Sequence, residues 1–224
     1  MAGAPSKPED DKKEDEKPEE ETKPEETKPE DDKKEDVTVP EIEDEGFVDL
    51  GSHAWAEESI NELAEAGIIK GTSANTFAPS ANITRADYAL LLVRAFKLES
   101  DDTENFADVK ASDYYAAELA VARNTGLVGG IGDNKYAPRK HITRQDMMVI
   151  IYRALEKLGV ELEDEENSYP DYDKVADYAK DAVRKLVASG LVNGKSGKID
   201  PTANTTRAEV AVLISRILNF INAK

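Results

Sequence analysis

Three arginines stand in one local context: Thr84-Arg85-Ala86-Asp87, Thr143-Arg144-Gln145-Asp146 and Thr206-Arg207-Ala208-Glu209. A Thr followed three residues later by Asp or Glu is the capping-box pattern that opens a helix. Each arginine therefore falls at the first helical position. A cation there opposes the helix dipole at a cost of roughly 0.3–1 kcal/mol, so stability alone would favour Asp or Glu. A guanidinium fork beside the free N–H groups of a helix amino terminus makes a carboxylate site. The competing use of the same residue is an ion pair to a neighbouring segment. Two more triplets accompany the arginines. Gly71, Gly130 and Gly194 either supply a positive φ or let a ligand approach the backbone closely. Trp55, Tyr114 and Tyr178 offer an aromatic plane to the C–H face of a sugar, or else pack as anchors at a helix start.

Other chemistry finds little support. With no cysteine there is no disulfide framework, thiolate metal site or cysteine nucleophile. The only histidines, His53 and His141, occupy unrelated local contexts, and no G-x-S-x-G or H-E-x-x-H pattern accompanies them. No EF-hand loop is present. Asp87, Asp146 and Glu209 are accounted for as capping residues, and Asp49, Asp108 and Asp171 read as turn or helix-start caps. The expectation is a binding module with no catalytic residues, no metal and no cofactor.

The elements that position these residues come in three copies. Phe47-Val48-Asp49, Trp55, Gly67-Ile68-Ile69-Lys70-Gly71, Phe77-Ala78-Pro79 and Ile83-Thr84-Arg85 recur 59 residues later at every landmark, and again after 63 or 64. A register held this way marks a repeat architecture. In each copy a first helix, with Ile60, Leu63 and Ala64 along one face of the first example, ends at Gly67, Gly126 or Gly190 as at a C′ position. A loop with an aromatic-x-Pro or Ile-x-Pro turn follows, and the Thr-Arg motif opens a second helix. The third copy shows the apolar face of that helix most clearly: Val210, Leu213, Ile214, Ile217 and Leu218. One unit of about 50 residues buries too little surface to be stable alone, whereas three packed together share a core. The fold class is all-α: three helix-loop-helix repeats, over 46–99, 105–160 and 168–222, with three copies favouring closure in pseudo-threefold symmetry over the alternative of an open stack.

Charge divides the chain differently. Of 224 residues with a net charge of −18, the first 45 hold 20 acidic side chains against 8 lysines and include six prolines. Segment 1–45 is too poor in apolar side chains to offset its ordering entropy and is expected to be a disordered linker. No apolar run follows Met1, so no signal peptide is expected here: either the chain is not exported or it is a fragment of a longer secreted protein, and a linker at its start favours the fragment. The remaining residues carry 27 acidic and 21 basic side chains. Neither part offers a basic face for nucleic acid, and no apolar run is long enough to insert in a membrane.

On these landmarks the repeats resemble the S-layer homology (SLH) family, from the Phe-x-Asp opening to the Ile-Thr-Arg-Ala-Asp motif, over residues 46–222. The acidic linker resembles those of surface-anchoring proteins, including cellulosome-anchoring scaffoldins. The resemblance implies an extracellular module that anchors an exported protein non-covalently to the bacterial cell wall or S-layer. It implies a secondary cell-wall polysaccharide as ligand, often pyruvylated, bound in grooves of a three-pronged trimer of modules within one monomeric chain. Arg85, Arg144 and Arg207, with Gly71, Gly130 and Gly194, are the groove residues it points to. A protein-interaction or lattice module without a glycan is the alternative. The copies differ: the third has Thr205 for Ile83 and Ile142 and Ile199 for Phe77 and Tyr136, and the second has Gln145 and Gly129. These departures predict unequal grooves, with the third copy's the weakest.

Overall fold

The computed structural model describes residues 46–166 and 169–223; the predicted linker, 1–45, lies outside them. Six α-helices, and no strand, form among the described residues: α1 (Ala54–Glu65), α2 (Arg85–Ala95), α3 (Ala116–Asn124), α4 (Arg144–Lys157), α5 (Lys180–Ala188) and α6 (Arg207–Asn222). Two belong to each repeat.

Each first helix ends as the glycines require. Gly67, Gly126 and Gly190 have φ near +70°. At the end of α1, Ile68 N–H donates to Leu63 O and Gly67 N–H to Ala64 O, the paired bonds of a Schellman turn. Each second helix starts at its Thr: the Oγ1 atoms of Thr84, Thr143 and Thr206 accept from the N–H of Asp87, Asp146 and Glu209. Only α6 closes the reciprocal half of the box, Glu209 Oε2 accepting from Thr206 N–H at 3.0 Å. Asp is one methylene shorter, and Asp87 instead accepts from the Thr84 hydroxyl at 2.6 Å.

The repeats close on one another. Ile83 N–H donates to Thr205 O, Thr205 N–H to Ile142 O, and Ile142 N–H to Ile83 O, a cycle of three bonds around the pseudo-threefold axis. The Ile83, Ile142 and Thr205 side chains there are almost wholly buried. Thr205 brings a hydroxyl to that centre and satisfies it on Glu209 Oε2 at 3.2 Å. Helix packing follows the same rotation: α3 lies on α2, α5 on α4, and α1 on α6, with α2 also meeting α4 and α6. Each first helix therefore packs chiefly against the second helix of the preceding repeat, and the first and last helices of the trimer pair. The shared core runs from Ile60 and Leu63 through Tyr88, Leu92, Leu119, Met148 and Ile151 to Leu186 and Ile214.

The x-Pro turn joins repeat to repeat. Asp49 accepts from the N–H of Phe77 and Ala78 at 2.8 and 2.7 Å. Asp108 holds Tyr136 and Ala137 in the same way, and Asp171 holds Ile199 and Asp200. These aspartates are thus clamps across 28 or 29 residues of chain rather than local caps. They fix a non-glycine residue at positive φ before each proline, Ala78 at 58°, Ala137 at 55° and Asp200 at 49°, a conformation that costs roughly 1–2 kcal/mol unaided.

Three candidate ligand grooves

The clamped turn aims its carbonyls at the next helix. For α2 these come from the second repeat: Arg85 N–H donates to Lys140 O and Ala86 N–H to Pro138 O. For α4 they come from the third, Ala203 O and Pro201 O, and for α6 from the first, Ala81 O and Pro79 O. The first two amides of each helix are therefore spent on backbone, and the third on the Thr cap. This corrects the expectation of free amino-terminal N–H groups for an anion. Tertiary contacts from another repeat consume them.

The arginines reach across the same joint. Arg85 Nε donates to Tyr136 O at 3.0 Å, Arg144 Nε to Ile199 O at 2.8 Å and Arg207 Nε to Phe77 O at 2.8 Å. The guanidinium groups of Arg85 and Arg207 also lie 4.5 Å from the centres of the Tyr136 and Phe77 rings, within cation–π range. Arg85 Nη1 is 3.8 Å from Asp146 and Arg144 Nη1 is 3.7 Å from Glu209. No ion pair within 4 Å forms at Arg207 among the described residues; burial lowers its pKa against the opposing pull of Asp87. The ion-pair role weighed from sequence is real for two arginines, and all three brace the trimer. The remaining guanidinium surface faces three grooves.

Each groove takes one member of every triplet. Gly71, Arg207 and Tyr114 line the first, a space of about 480 Å3. Gly130, Arg85 and Tyr178 line the second, about 380 Å3. Gly194, Arg144 and Trp55 line the third, about 620 Å3. All nine residues singled out in the sequence are thus brought together three by three, each trio drawn from three different repeats. The third copy's loop glycine sits in the largest groove, and nothing in the geometry marks that groove as weakened.

The aromatic residues are not packing anchors. Trp55 is 59%, Tyr114 71% and Tyr178 61% exposed, while the neighbouring Tyr115 takes the core position before α3. Tyr114 and Tyr178 lean across the groove to a capping acid, their hydroxyls donating to Asp87 at 2.5 Å and Asp146 at 2.6 Å. Burial, then the bond to Asp146, pushes the Tyr178 hydroxyl up to about 12; burial and Asp87 raise Tyr114 further. Trp55 has no such hydroxyl, and the acid in its groove, Glu209, is held by its own capping box and by Lys195 at 3.3 Å.

Of the two purposes weighed from sequence for the glycines, the positive φ is ruled out. None of the three has a positive φ. A Cβ on Gly71 would stand 2.6 Å from the Phe47 ring, on Gly130 3.2 Å from Phe106 and on Gly194 2.3 Å from Tyr169. The missing side chain makes room for the ring of the Phe-x-Asp or Tyr-x-Asp motif, and the glycine backbone lines the groove above it.

Sequence reasoning missed a fourth triplet. Arg94, Arg153 and Arg216 recur at the same 59 and 63 residue offsets and line the first, second and third grooves. Counting these, each groove collects three cations against one carboxylate: Lys70, Arg94 and Arg207 with Asp87; Arg85, Lys140 and Arg153 with Asp146; Arg144, Lys195 and Arg216 with Glu209. Among the described residues no cluster of His, Asp and Glu is arranged to hold a metal ion.

Comparison with known proteins settles what kind of module carries these grooves. The model of the S-layer homology domain matches residues 46–89, 105–148 and 168–211. The chain belongs to the S-layer homology family. Each SLH match holds an x-Pro turn, a loop glycine and a Thr-Arg motif. An endoglucanase of Bacillus sp. (strain KSM-635) is 35% identical over 77% of this chain and 18% of its own length. The surface-layer 125 kDa protein of Lysinibacillus sphaericus is 32% identical over 75% of this chain and 14% of its own. A cellulosome-anchoring protein of Acetivibrio thermocellus is 30% identical over 68% of this chain and 36% of its own. The chain thus spans well under half the length of these relatives, and proteins with different names share the SLH portion. As an SLH protein the chain is extracellular and associated with the bacterial cell wall, as an anchoring module. No helix among the described residues is long and apolar enough to cross a membrane.

Proposed function

We propose that the three grooves bind an acidic secondary cell-wall polysaccharide, pyruvylated on its sugars, and that this binding anchors an exported protein without a covalent bond. One observation carries the reading. In a folded part with more acidic than basic residues, every groove gathers three cations around one acid, beside an exposed aromatic plane. A cationic groove with an aromatic wall suits a sugar bearing a carboxylate: the guanidinium meets the charge and the ring meets the C–H face. Because the molecule as a whole is anionic, attraction is local to the grooves and is screened beyond roughly 8–10 Å at physiological salt. One chain supplies all three walls of each groove, so a monomer is sufficient, and several grooves along one polymer multiply the affinity.

The test is co-sedimentation of the chain with purified sacculi before and after extraction of the secondary polysaccharide. A Trp55→Ala, Tyr114→Ala, Tyr178→Ala variant runs beside it, since these exposed side chains leave the core in place. Binding is expected to disappear on extraction and to fall at least tenfold in the variant. Undiminished binding to extracted sacculi would assign the module to peptidoglycan or a protein partner.

A further inference from the structure

Arg94, Arg153 and Arg216 hold one repeat position, but the protein itself uses only two of them. Arg94 donates through Nε and Nη2 to Glu118, at 3.2 and 2.6 Å. Arg216 donates through Nη1 to Leu191 O at 2.9 Å. Arg153 is exposed and has no hydrogen-bond or ion-pair partner among the described residues. Its Nη1 lies 3.8 Å from where a Cβ on Gly129 would stand. The other copies carry Lys70 and Asn193 at that position, so the second copy has cleared side-chain space beside this arginine.

Arg85, in the same groove, is also left with an open donor. Arg207 Nη2 donates to Lys70 O at 2.8 Å and Arg144 Nη2 to Asn193 O at 3.4 Å. Arg85 makes no corresponding bond to Gly129, though it is only 9% exposed. The acid opposite, Asp146, accepts from the Tyr178 hydroxyl and stands 3.8 Å from Arg85 Nη1, an ion pair too long to fill a hydrogen bond. A nearly buried guanidinium with an unfilled donor favours an incoming acceptor, because leaving that donor unmet costs about 1–3 kcal/mol. Beside it Ile131 is 62% exposed, where the other copies have Thr72 and Lys195.

We propose that the Arg85 groove is the tightest of the three anion sites, with Arg153 as a second guanidinium contact to the ligand carboxylate and Ile131 as the contact for an apolar substituent beside it. The inference rests on the glycan reading above and adds a ranking and a residue to it. The ligand class is an acidic sugar whose carboxylate adjoins a methyl group.

Calorimetric titration of the full chain with the methyl glycoside of a hexose carrying a 4,6-pyruvate ketal tests it. The wild type is expected to show one tight site per chain and weaker ones after it. Arg153→Gln should weaken the tight site about tenfold, the loss of roughly one charge-assisted contact, with no change in melting temperature. Arg94→Gln and Arg216→Gln should keep the tight site. Trp55 lines a different groove, so its emission should stay constant through the first equivalent and change only afterwards. A wild-type titration curve for Arg153→Gln, or a Trp55 response complete within the first equivalent, overturns the ranking while leaving the glycan reading standing. A wild type that takes up no ketal sugar defeats both.

Discussion

Asp49 and Asp171 show how much a single side chain carries in this fold. Each carboxylate receives two backbone N–H groups, and these bonds hold its pKa below the ordinary value; at Asp171 they outweigh the opposing effect of burial. Glu209 is likewise lowered: burial opposes, and Thr206 N–H, Arg144 and Lys195 prevail. A carboxylate with a depressed folded-state pKa gives stability above its unfolded pKa that is lost as pH falls through the folded value. Thermal melts should therefore be level near neutrality and drop below about pH 4, near the unperturbed carboxylate values. A melting temperature unchanged down to pH 3 would refute the clamps. Asp171→Ala should cost about 3 kcal/mol in urea unfolding, since bonds to charged groups contribute roughly 1.5–3 kcal/mol each. The aspartates were legible in the sequence as a repeated triplet, but their partners were not. A clamp across 28 residues leaves no local pattern, so short-range caps were the natural expectation.

At the level of elements, two sets of glycines in the same loops do different work, and substitution separates them. Gly190 adopts a φ of +68° with open space around it, so Gly190→Ala should cost about 1–2 kcal/mol in backbone strain. Gly194 has no such φ, but a Cβ there would stand 2.3 Å from Tyr169 and 2.7 Å from Lys198 O. Gly194→Ala must displace a ring against fixed backbone and should cost more than Gly190→Ala in the same chemical denaturation series. Equal costs would mean that the ring moves freely. Helix starts and stops were readable because capping and C′ glycines act within a few residues. The fate of the helix amino termini was not readable, because the carbonyls that fill them arrive from another repeat. The same contacts give the motif arginines a structural duty. Arg144→Ala loses the bond to Ile199 O and leaves Glu209 without its 3.7 Å partner, so it should lower the melting temperature as well as any ligand affinity. A loss of binding in that variant is informative only beside its stability.

For the molecule as a whole, closure is the governing fact. The α1 helix packs on α6, and a cycle of three backbone bonds joins Ile83, Ile142 and Thr205, so no repeat is complete without the other two. Residues 46–223 should unfold in one transition, with calorimetric and van't Hoff enthalpies equal, and the isolated segment 46–99 should show no cooperative melt. A segment 46–99 that folds alone would contradict this picture. The period in the sequence was enough to read three copies and an all-α class, because 59 and 63 residue offsets survive the differences between copies. It was not enough to read which residues share a groove. Arg207 and Gly71 meet from opposite ends of the folded chain, and only closure of the ring brings them together. The central claim, that these grooves receive an acidic wall glycan, is most directly tested through the single tryptophan of the chain, which lines one of them. Titration with the extracted polysaccharide should change Trp55 emission saturably, and the same polymer stripped of its pyruvate ketals by mild acid should not. Saturation with the intact polymer, carried past the first equivalent, and still no change at Trp55 would leave that groove empty and contradict the account.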